Sequence, residues 1–250
     1  MTILVTNDDG YTEGLRILLN SAKKMDSTYA LIPNKQQSGV SKAITLHKPL
    51  RIFPKEKEIY EVNGTPADCV TLGIFSKDFP TPKLVLSGIN WGDNSSLHSI
   101  YTSGTLAACV ESVLFNIPAI GFSIYRKKEE WKNKEKSWGN EKELAKHIIS
   151  ISTKLSKEFD GSTLFSVNFP NRLTDSEIIV AKPQRHRFNV QINKRIDPDG
   201  RNYYWITGPD SKKEKNKDFY LINSGKIVIT PITLEPVKDS VFSNLKKIME

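Results

Sequence analysis

The amino-acid sequence predicts an α/β protein with a mostly parallel sheet. Short apolar runs of β-type residues, such as 3–6 and 119–124, alternate with segments of helical periodicity, such as 13–25 and 106–115. The order strand, helix, strand recurs through residue 125, which favours right-handed crossovers and parallel pairing. A chain of 250 residues has the length of one large domain.

The individual elements follow from apolar spacing and from helix-start residues. Thr12 is a candidate N-cap for the first helix, and Thr65 with Pro66 supplies an N-cap and a first helical position for the second. The third and fourth strands are a candidate hairpin pair. In chain order the predicted strands are 3–6, 29–33, 43–46, 59–62, 83–86, 119–124 and 163–167, and the predicted helices are 13–25, one from 65, 106–115 and 143–155.

The last part of the chain has a different residue pattern. Residues 203–206 and 227–230 have the composition of strands, polar turns lie between them, and 241–248 is a predicted helix. We therefore predict a single domain over 1–250, in which a βαβ core of about 1–182 precedes an extension of β-hairpins and a helix over about 183–250.

Composition and charge exclude several classes of protein. The net charge is +8, but basic and acidic residues are interleaved over 126–146, and no nucleic-acid-binding motif occurs, so we expect nucleic-acid binding to be unlikely. No apolar run reaches membrane-spanning length, and Met1 leads straight into a strand without a signal peptide. Cys69 and Cys109 lie in apolar patterns typical of buried thiols, which fits a cytoplasmic protein without a membrane partner.

Three polar loops follow predicted strands, at 7–10, 37–41 and 87–94. In a parallel sheet all three lie at one edge, where two carboxylates, a hydroxyl and an amide oxygen converge in an all-oxygen set suited to Mg²⁺ or Mn²⁺. Asp8 and Asp9 on their own fit an Asx-type turn closed by Gly10 equally well.

Residues 103–105 immediately precede a predicted helix. Unpaired amides and the positive end of the helix dipole bind phosphate at such a position, although an ordinary Ser/Thr N-cap is the commoner use of these residues. A metal ion beside an anion-binding helix start indicates phosphate-ester hydrolysis.

Taken together, these motifs resemble those of the survival protein E (SurE) family. The resemblance covers nearly the whole chain, in order and at matching spacing. The motifs that carry it are Asn7–Gly10, Ser38–Gly39, Gly64–Val70, Ser87–Asn90, Ser103–Ala108 with Glu111, Tyr204–Ile206, Asp218–Phe219, Gly225 and Ile229–Pro231.

The resemblance implies a metal-dependent nucleotidase with a Rossmann-like three-layer core. Members of that family release phosphate from nucleoside 5′-monophosphates and often from 3′-monophosphates, and some trim short polyphosphate. A C-terminal segment exchanged between subunits is also implied, giving a homodimer or homotetramer. One divalent ion per subunit, Mg²⁺ or Mn²⁺, is implied, with catalytic Asp8 and Asp9 as ligands beside Ser38 and Asn90, and with Asn94, Ser103, Gly104 and Thr105 holding the phosphate.

The chain departs from the family pattern in two places. The stretch 95–102 is neither Gly- nor Asp-rich and is one residue longer, with Thr102 as the insertion, which affects the phosphate contacts expected of Asn94 and Ser103. Residues 34–37 replace the usual Asp- and Arg-containing approach to Ser38.

Alternative functions remain open from the sequence. A haloacid-dehalogenase-type phosphatase also uses an Asp after its first strand, but its pattern requires Asp-x-Asp and a following Lys with further acids. A non-catalytic nucleotide-binding protein would have the same pocket. Among the histidines, His98 is the best candidate for a general acid, His147 lies in a helical pattern typical of a structural residue, and His186 is interpreted as a surface residue.

Overall fold

A computed structural model describes residues 1–127, 130, 139–173, 176–235 and 239–249. These residues form eleven strands and seven helices around two layers of core. The strands are β1 Thr2–Thr6, β2 Ser27–Pro33, β3 Ile52–Glu56, β4 Ile59–Val62, β5 Leu84–Trp91, β6 Ala119–Ile124, β7 Thr163–Phe169, β8 Ile178–Val180, β9 Gln191–Ile196, β10 Asn202–Thr207 and β11 Ile227–Thr233. The helices are α1 Glu13–Ala22, α2 Pro66–Phe75, α3 Leu97–Thr102, α4 Gly104–Leu114, α5 Glu141–Leu155, α6 Asp218–Asn223 and α7 Asp239–Met249.

Nine of these strands form one sheet in the order β3-β4-β2-β1-β5-β6-β7-β11-β8. The run from β4 to β7 is parallel throughout, which confirms the predicted mostly parallel sheet. The chain winds from β1 to β2 in one direction and later places β5 on the other side of β1. The carboxyl ends of β1 and β5 therefore flank a topological switch point, where ligands bind in open α/β sheets.

Helices cover both faces of the sheet and give the predicted three layers. Side chains alternate along each strand, so Ile3 and Val5 pack with α1 and α5 while Leu4 packs with α2 and α4. The two apolar clusters on either side of the sheet hold the strands and helices together.

Capping residues confirm the predicted helix starts. The Thr12 hydroxyl accepts from Leu15 N at the start of α1. Thr65 and Asp68 form a reciprocal capping box at the start of α2. α1 ends at Ala22, three residues before the end of the predicted helix.

Two predictions for the segments around β4 and β5 were wrong. Residues 43–46 are not a strand, and the antiparallel partner of β4 is β3 instead. The physical reason is that the Thr45 backbone N–H donates to the Asp68 carboxylate at 2.9 Å, so α2 takes a donor that a ladder would have used. The Thr45 hydroxyl donates to the same carboxylate at 2.7 Å. The predicted polar loop after residue 86 is also shorter, since β5 continues to Trp91 and α3 follows.

The C-terminal segment divides between the sheet and the outside of the molecule. β11 pairs antiparallel with β7 and parallel with β8, so it lies in the main sheet although its sequence was assigned to the extension. β9 and β10 form a separate hairpin whose residues are exposed, and α7 is exposed as well. The interleaved charges at 128–129 and 131–138 lie outside the described residues.

Other predictions concern the membrane and the thiols. None of the helices in the described ranges combines the length and the apolarity needed to cross a bilayer. Cys69 and Cys109 are free and buried, and burial raises the pKa of both thiols.

Candidate functional site

The turn after β1 presents two adjacent carboxylates at the switch point. Asn7 closes this turn, because its Nδ2 donates to Gly10 O at 2.7 Å and its Oδ1 accepts from Gly10 N at 3.1 Å. Gly10 has φ +74°, a conformation that glycine adopts at no steric cost. The Asn7 side chain therefore forms the Asx-type turn, and the carboxylates of Asp8 and Asp9 are not used to close it.

Asp8 is buried, with 4% of its surface exposed. Burial, and secondarily the charge of Asp9, raises the pKa of Asp8 to about 6. The Thr105 hydroxyl opposes this shift by donating to Asp8 Oδ1 at 2.6 Å. A buried carboxylate beside a second acid is stabilised when a cation binds to both.

Gly104 allows the start of α4 to approach Asp8 closely. A Cβ atom on Gly104 would lie 2.7 Å from Asp8 Cβ and 3.0 Å from Asp8 Oδ2. Ser103 is the N-cap of α4, where its hydroxyl accepts from Leu106 N at 3.1 Å. The commoner interpretation of residues 103–105, a Ser/Thr cap, is thus correct for Ser103, while Thr105 orients Asp8.

Gln36 links two residues that the sequence placed in different loops. Its Nε2 donates to Asp9 Oδ1 at 3.1 Å and to Ser38 Oγ at 3.0 Å. This side chain belongs to the segment that departs from the family pattern. It brings Asp9 and Ser38 together on one wall of the site.

Asn90 projects from the end of β5, next to a local break in pairing with β6. Gly88 permits this break, since a Cβ there would lie 2.3 Å from Phe122 O. Asn90 Nδ2 donates to Gly92 O at 2.8 Å, so the amide oxygen is the atom left to accept or to coordinate.

These residues line one cavity of about 550 Å³. Its wall includes six of the eight site residues predicted from the sequence. Gly104 and Thr105 are not on the wall and lie buried behind Asp8. The lining residues are Asp8, Asp9, Gln36, Ser38, Gly39, Asn90, Trp91, Gly92, Asp93, Asn94, Ser99, Thr102, Ser103, Arg126, Arg187 and Phe188.

The donor set fits a hard divalent cation. Among the described residues, no group of three or more His, Cys, Asp or Glu side chains is placed to hold a metal ion. A cation in this cavity would therefore combine the carboxylates of Asp8 and Asp9 with neutral oxygens, for which Ser38 and Asn90 are available. Oxygen-only sets of this kind suit Mg²⁺ or Mn²⁺ and suit Zn²⁺ poorly.

Asn94 is held rigidly at the back of the cavity. Its backbone N donates to Asn168 Oδ1 and its Nδ2 donates to Ser123 Oγ, both at 2.8 Å. The longer segment 95–102 thus leaves Asn94 anchored to β6 and β7. Most of this segment forms the short helix α3.

Sequence reasoning missed two arginines on the cavity wall. Arg126 stacks on Trp91 with its guanidinium carbon 4.2 Å from the ring centroid, and its Nη1 donates to the Asn171 side chain and backbone at 3.0 Å. Arg126 follows β6 by two residues, so the rule that strand ends carry ligands would have found it.

Arg187 comes from the C-terminal part of the chain, and no local signal marks it. It is buried, pairs with Asp93 at 3.2 Å and with Asp210 at 2.8 Å, and stacks on Phe219 at 3.8 Å. Only the tertiary fold brings it to the site.

The histidines lie outside this cavity. His98 and His186 line a neighbouring cavity, and His147 on α5 lies 3.6 Å from Glu143 and beside Phe169. The described lining contains no lysine, which the haloacid-dehalogenase pattern requires.

A doubly wound α/β fold with an oxygen-rich, acidic cavity at its switch point defines a protein that binds a small ligand beyond the strand ends. A family model described as Survival protein SurE matches residues 3–190. The chain belongs to the SurE family, and the resemblance found in its motifs is confirmed.

Curated relatives extend this match over nearly the full chain. A protein named 5′-nucleotidase SurE from Hyperthermus butylicus is 35% identical over 99% of this chain and 92% of its own length. Another of the same name, from Methanosphaera stadtmanae, is 38% identical over 94% of this chain and 95% of its own length. The crystal structure of a SurE protein from Aquifex aeolicus shares the fold with a TM-score of 0.84 and 29% identity, over 100% of both chains.

Proposed function

We propose that this SurE-family protein is a metal-dependent 5′-nucleotidase, a hydrolase that acts on phosphoric monoesters. The observation that carries the proposal is the convergence of Asp8, Asp9, Ser38 and Asn90 on one cavity at the switch point. Nucleoside 5′-monophosphates are the principal substrates, and 3′-monophosphates and short polyphosphate are further ones. The relatives named 5′-nucleotidase SurE support this choice of substrate.

One divalent cation per subunit, Mg²⁺ or Mn²⁺, binds to Asp8, Asp9, Ser38 and Asn90. When bound there, such an ion would supply charge neutralisation at the phosphoryl group and would lower the pKa of a water molecule. Asp8 and Asp9 are the catalytic carboxylates. Because Thr105 donates to Oδ1 of Asp8, the second carboxylate oxygen of Asp8 keeps a fixed direction.

The residues that we expect to hold the phosphate lie on the cavity wall and beside Asp8. Asn94 and Ser103 lie on the cavity wall, and Gly104 and Thr105 place the first amides of α4 behind Asp8. Arg126 adds a positive charge on the cavity wall, whereas the charge of Arg187 is already paired with Asp93 and Asp210. Fixed donors of this kind stabilise the charge that develops in the transition state.

The exposed apolar surface of the C-terminal segment supports an oligomer. Monomeric proteins rarely leave large contiguous apolar patches in water. We propose a homodimer or homotetramer in which the hairpin β9–β10 and α7 contact another subunit. The exposed apolar residues are Ile192, Ile196, Tyr203, Tyr204, Trp205 and Ile206 on the hairpin, and Val241, Phe242, Leu245, Ile248 and Met249 on α7. We also place the protein in the cytoplasm, where its two buried thiols stay reduced.

The test is phosphate release by protein that has been stripped with a chelator. A panel of 5′- and 3′-nucleoside monophosphates and short polyphosphate is assayed without metal, with Mg²⁺ and with Mn²⁺. We expect release only after metal is added, and fastest from 5′-monophosphates. Binding of the same nucleotides by folded protein without any release would instead support the second candidate, a non-catalytic nucleotide-binding protein.

A further inference from the structure

We propose that the nucleobase of the substrate binds in a second cavity, formed by His98, His186, Phe188 and the base of the β9–β10 hairpin. This inference rests on the proposed nucleotidase function and names where the part of the substrate beyond the phosphate is held. The cavity measures about 240 Å³. Its other lining residues are Val190, Ile206, Thr207 and Gly208.

The second cavity shares a wall with the cavity that contains Asp8. Phe188 lines both of them. On the other side, α3 separates the two, since Ser99 and Thr102 face the first cavity and His98 faces the second. A nucleotide whose phosphate lies at the acidic site can therefore direct its base past Phe188.

Backbone hydrogen bonds hold this wall in place before any ligand binds. Leu97 N donates to Gln184 O at 2.8 Å, and His98 N donates to Arg185 O at 3.2 Å. The buried Asp218 carboxylate joins the same two segments, because it accepts from Ser96 N at 2.6 Å and from Gln184 N at 3.0 Å. These contacts bring the two backbone segments together, and the exposed imidazole rings of His98 and His186 lie 6.5 Å apart between centroids, at an angle of 47°.

The base of the hairpin forms the other side of this second cavity within a single chain. Gly208 has φ +149°, and a Cβ there would lie 1.9 Å from Asn189 O, so only glycine allows the two strands to approach this closely. Val190 and Ile206 extend from this point and give the cavity apolar walls.

The chemistry of the lining selects a flat heteroaromatic ring. The described lining has an aromatic ring, two imidazoles and aliphatic side chains, and it contains no carboxylate and no lysine or arginine. It therefore lacks the anionic oxygens that hold Mg²⁺ or Mn²⁺ and the cationic groups that hold a phosphate. A base, by contrast, stacks on aromatic and imidazole rings, and its edge hydrogen-bonds to imidazole nitrogens. The cationic side chains are on the other cavity, where the phosphate is expected.

The experiment compares a substrate that has a base with one that lacks it. For the wild-type protein and for Ile206→Ser and His98→Ala, kcat/KM is measured with AMP and with ribose 5-phosphate. We expect kcat/KM for AMP, divided by kcat/KM for ribose 5-phosphate, to fall about tenfold in each variant. The fall should come from a higher KM for AMP and not from a lower kcat. The matched control is Ile196→Ser, which removes another exposed isoleucine from the far end of the same hairpin, and its ratio stays at the wild-type value.

A ratio that is unchanged in both variants, or lost equally in the control, would overturn the base site. Calorimetric binding of AMP and ribose 5-phosphate in excess chelator separates this proposal from the nucleotidase assignment, because it requires no turnover. If AMP binds more tightly than ribose 5-phosphate and Ile206→Ser removes the difference, the base site holds even when no phosphate is released. If AMP binds no more tightly than ribose 5-phosphate, the base site is rejected whatever the activity.

Discussion

The edge of the sheet around β1 and β5 differs in kind from the hairpin β9–β10. At the sheet edge Asp8 is buried and accepts a hydrogen bond from Thr105, and the half-buried Asp9 accepts one from Gln36. On the hairpin the apolar groups are exposed, as Trp205 is at 58% and Ile206 at 77%. Each region inverts the usual rule that polar side chains face water and apolar ones are buried.

This difference indicates that the two regions suit different kinds of partner, a cation for the carboxylates and an apolar surface for the hairpin. Burying the Asp8 carboxylate beside that of Asp9 costs solvation energy that a cation restores. An exposed apolar hairpin leaves surface in water that another surface covers. We therefore expect the first region to bind a ligand, and the hairpin to contact another subunit at its tip and a ligand at its base.

The largest effect is expected at the sheet edge. Asp8→Asn removes one negative ligand and should lower metal-dependent phosphate release more than about 100-fold, since loss of a mere partner of a ligand costs 10–100-fold. The fold, followed by circular dichroism, should be retained. Asp78→Asn, at an exposed carboxylate that bonds only to Ser76 among its described contacts, is the control and should keep wild-type activity.

The second expected effect concerns pH in chelator-treated protein. The pKa of Asp8 is raised to about 6 from 3.8, so the folded state binds a proton that the unfolded state has already lost between these values. Stability from this group is present below about pH 4 and is lost as pH rises through about 6. The loss is at most about 3 kcal/mol, for a shift of roughly two pKa units.

Urea unfolding from pH 4 to 8, in chelator, measures this dependence. The difference in unfolding free energy between wild type and Asp8→Asn should change through about pH 6, and saturating Mn²⁺ should reverse its sign above that pH. A difference that is flat with pH would mean that Asp8 is not a buried titrating group.

A smaller effect is expected from Thr105→Val. The change keeps the shape of the side chain but removes the hydroxyl that donates to Asp8 at 2.6 Å, and it should lower activity about 10- to 100-fold. Thr71→Val is the matched control, because Thr71 also donates to a carboxylate, that of Glu111, at 2.7 Å. The control should lose stability, about 1–3 kcal/mol, without a comparable loss of activity. Equal losses of activity in both variants would remove the special role of Thr105.

The smallest effect is expected on the hairpin. Trp205→Ser should weaken subunit association about tenfold, because large aromatic side chains dominate interfaces. Sedimentation velocity over a range of concentrations measures this shift. Lys194→Ser, on the neighbouring strand of the same hairpin, should leave association unchanged. If Trp205→Ser associates as the wild type does, the exposed hairpin is not the subunit contact.

The sequence was most informative where function depends on short-range signals. Asp8 and Asp9 come just after β1 and Asn90 lies near the end of β5, and the rule for parallel sheets places such residues at one edge. Helix caps at Thr12 and Thr65 were predicted for the same reason, since a cap and its partner are three residues apart.

It was least informative where the partner is distant along the chain. Residues 43–46 have strand-type composition, but Asp68 takes the hydrogen-bonding groups of Thr45. Arg187 reaches the site only because buried Asp218 ties the C-terminal segment to the loop before α3. Neither contact leaves a periodicity or a spacing that a single sequence reveals.

The most direct measurement of the central claim is anomalous diffraction from a crystal soaked in Mn²⁺. The account predicts one Mn²⁺ peak per subunit, within about 2.5 Å of oxygens of Asp8, Asp9, Ser38 and Asn90. The peak should be absent from Asp8→Asn crystals treated in the same way. A peak that lies elsewhere, or one that persists unchanged in Asp8→Asn, would contradict the proposed metal centre and the nucleotidase mechanism built on it.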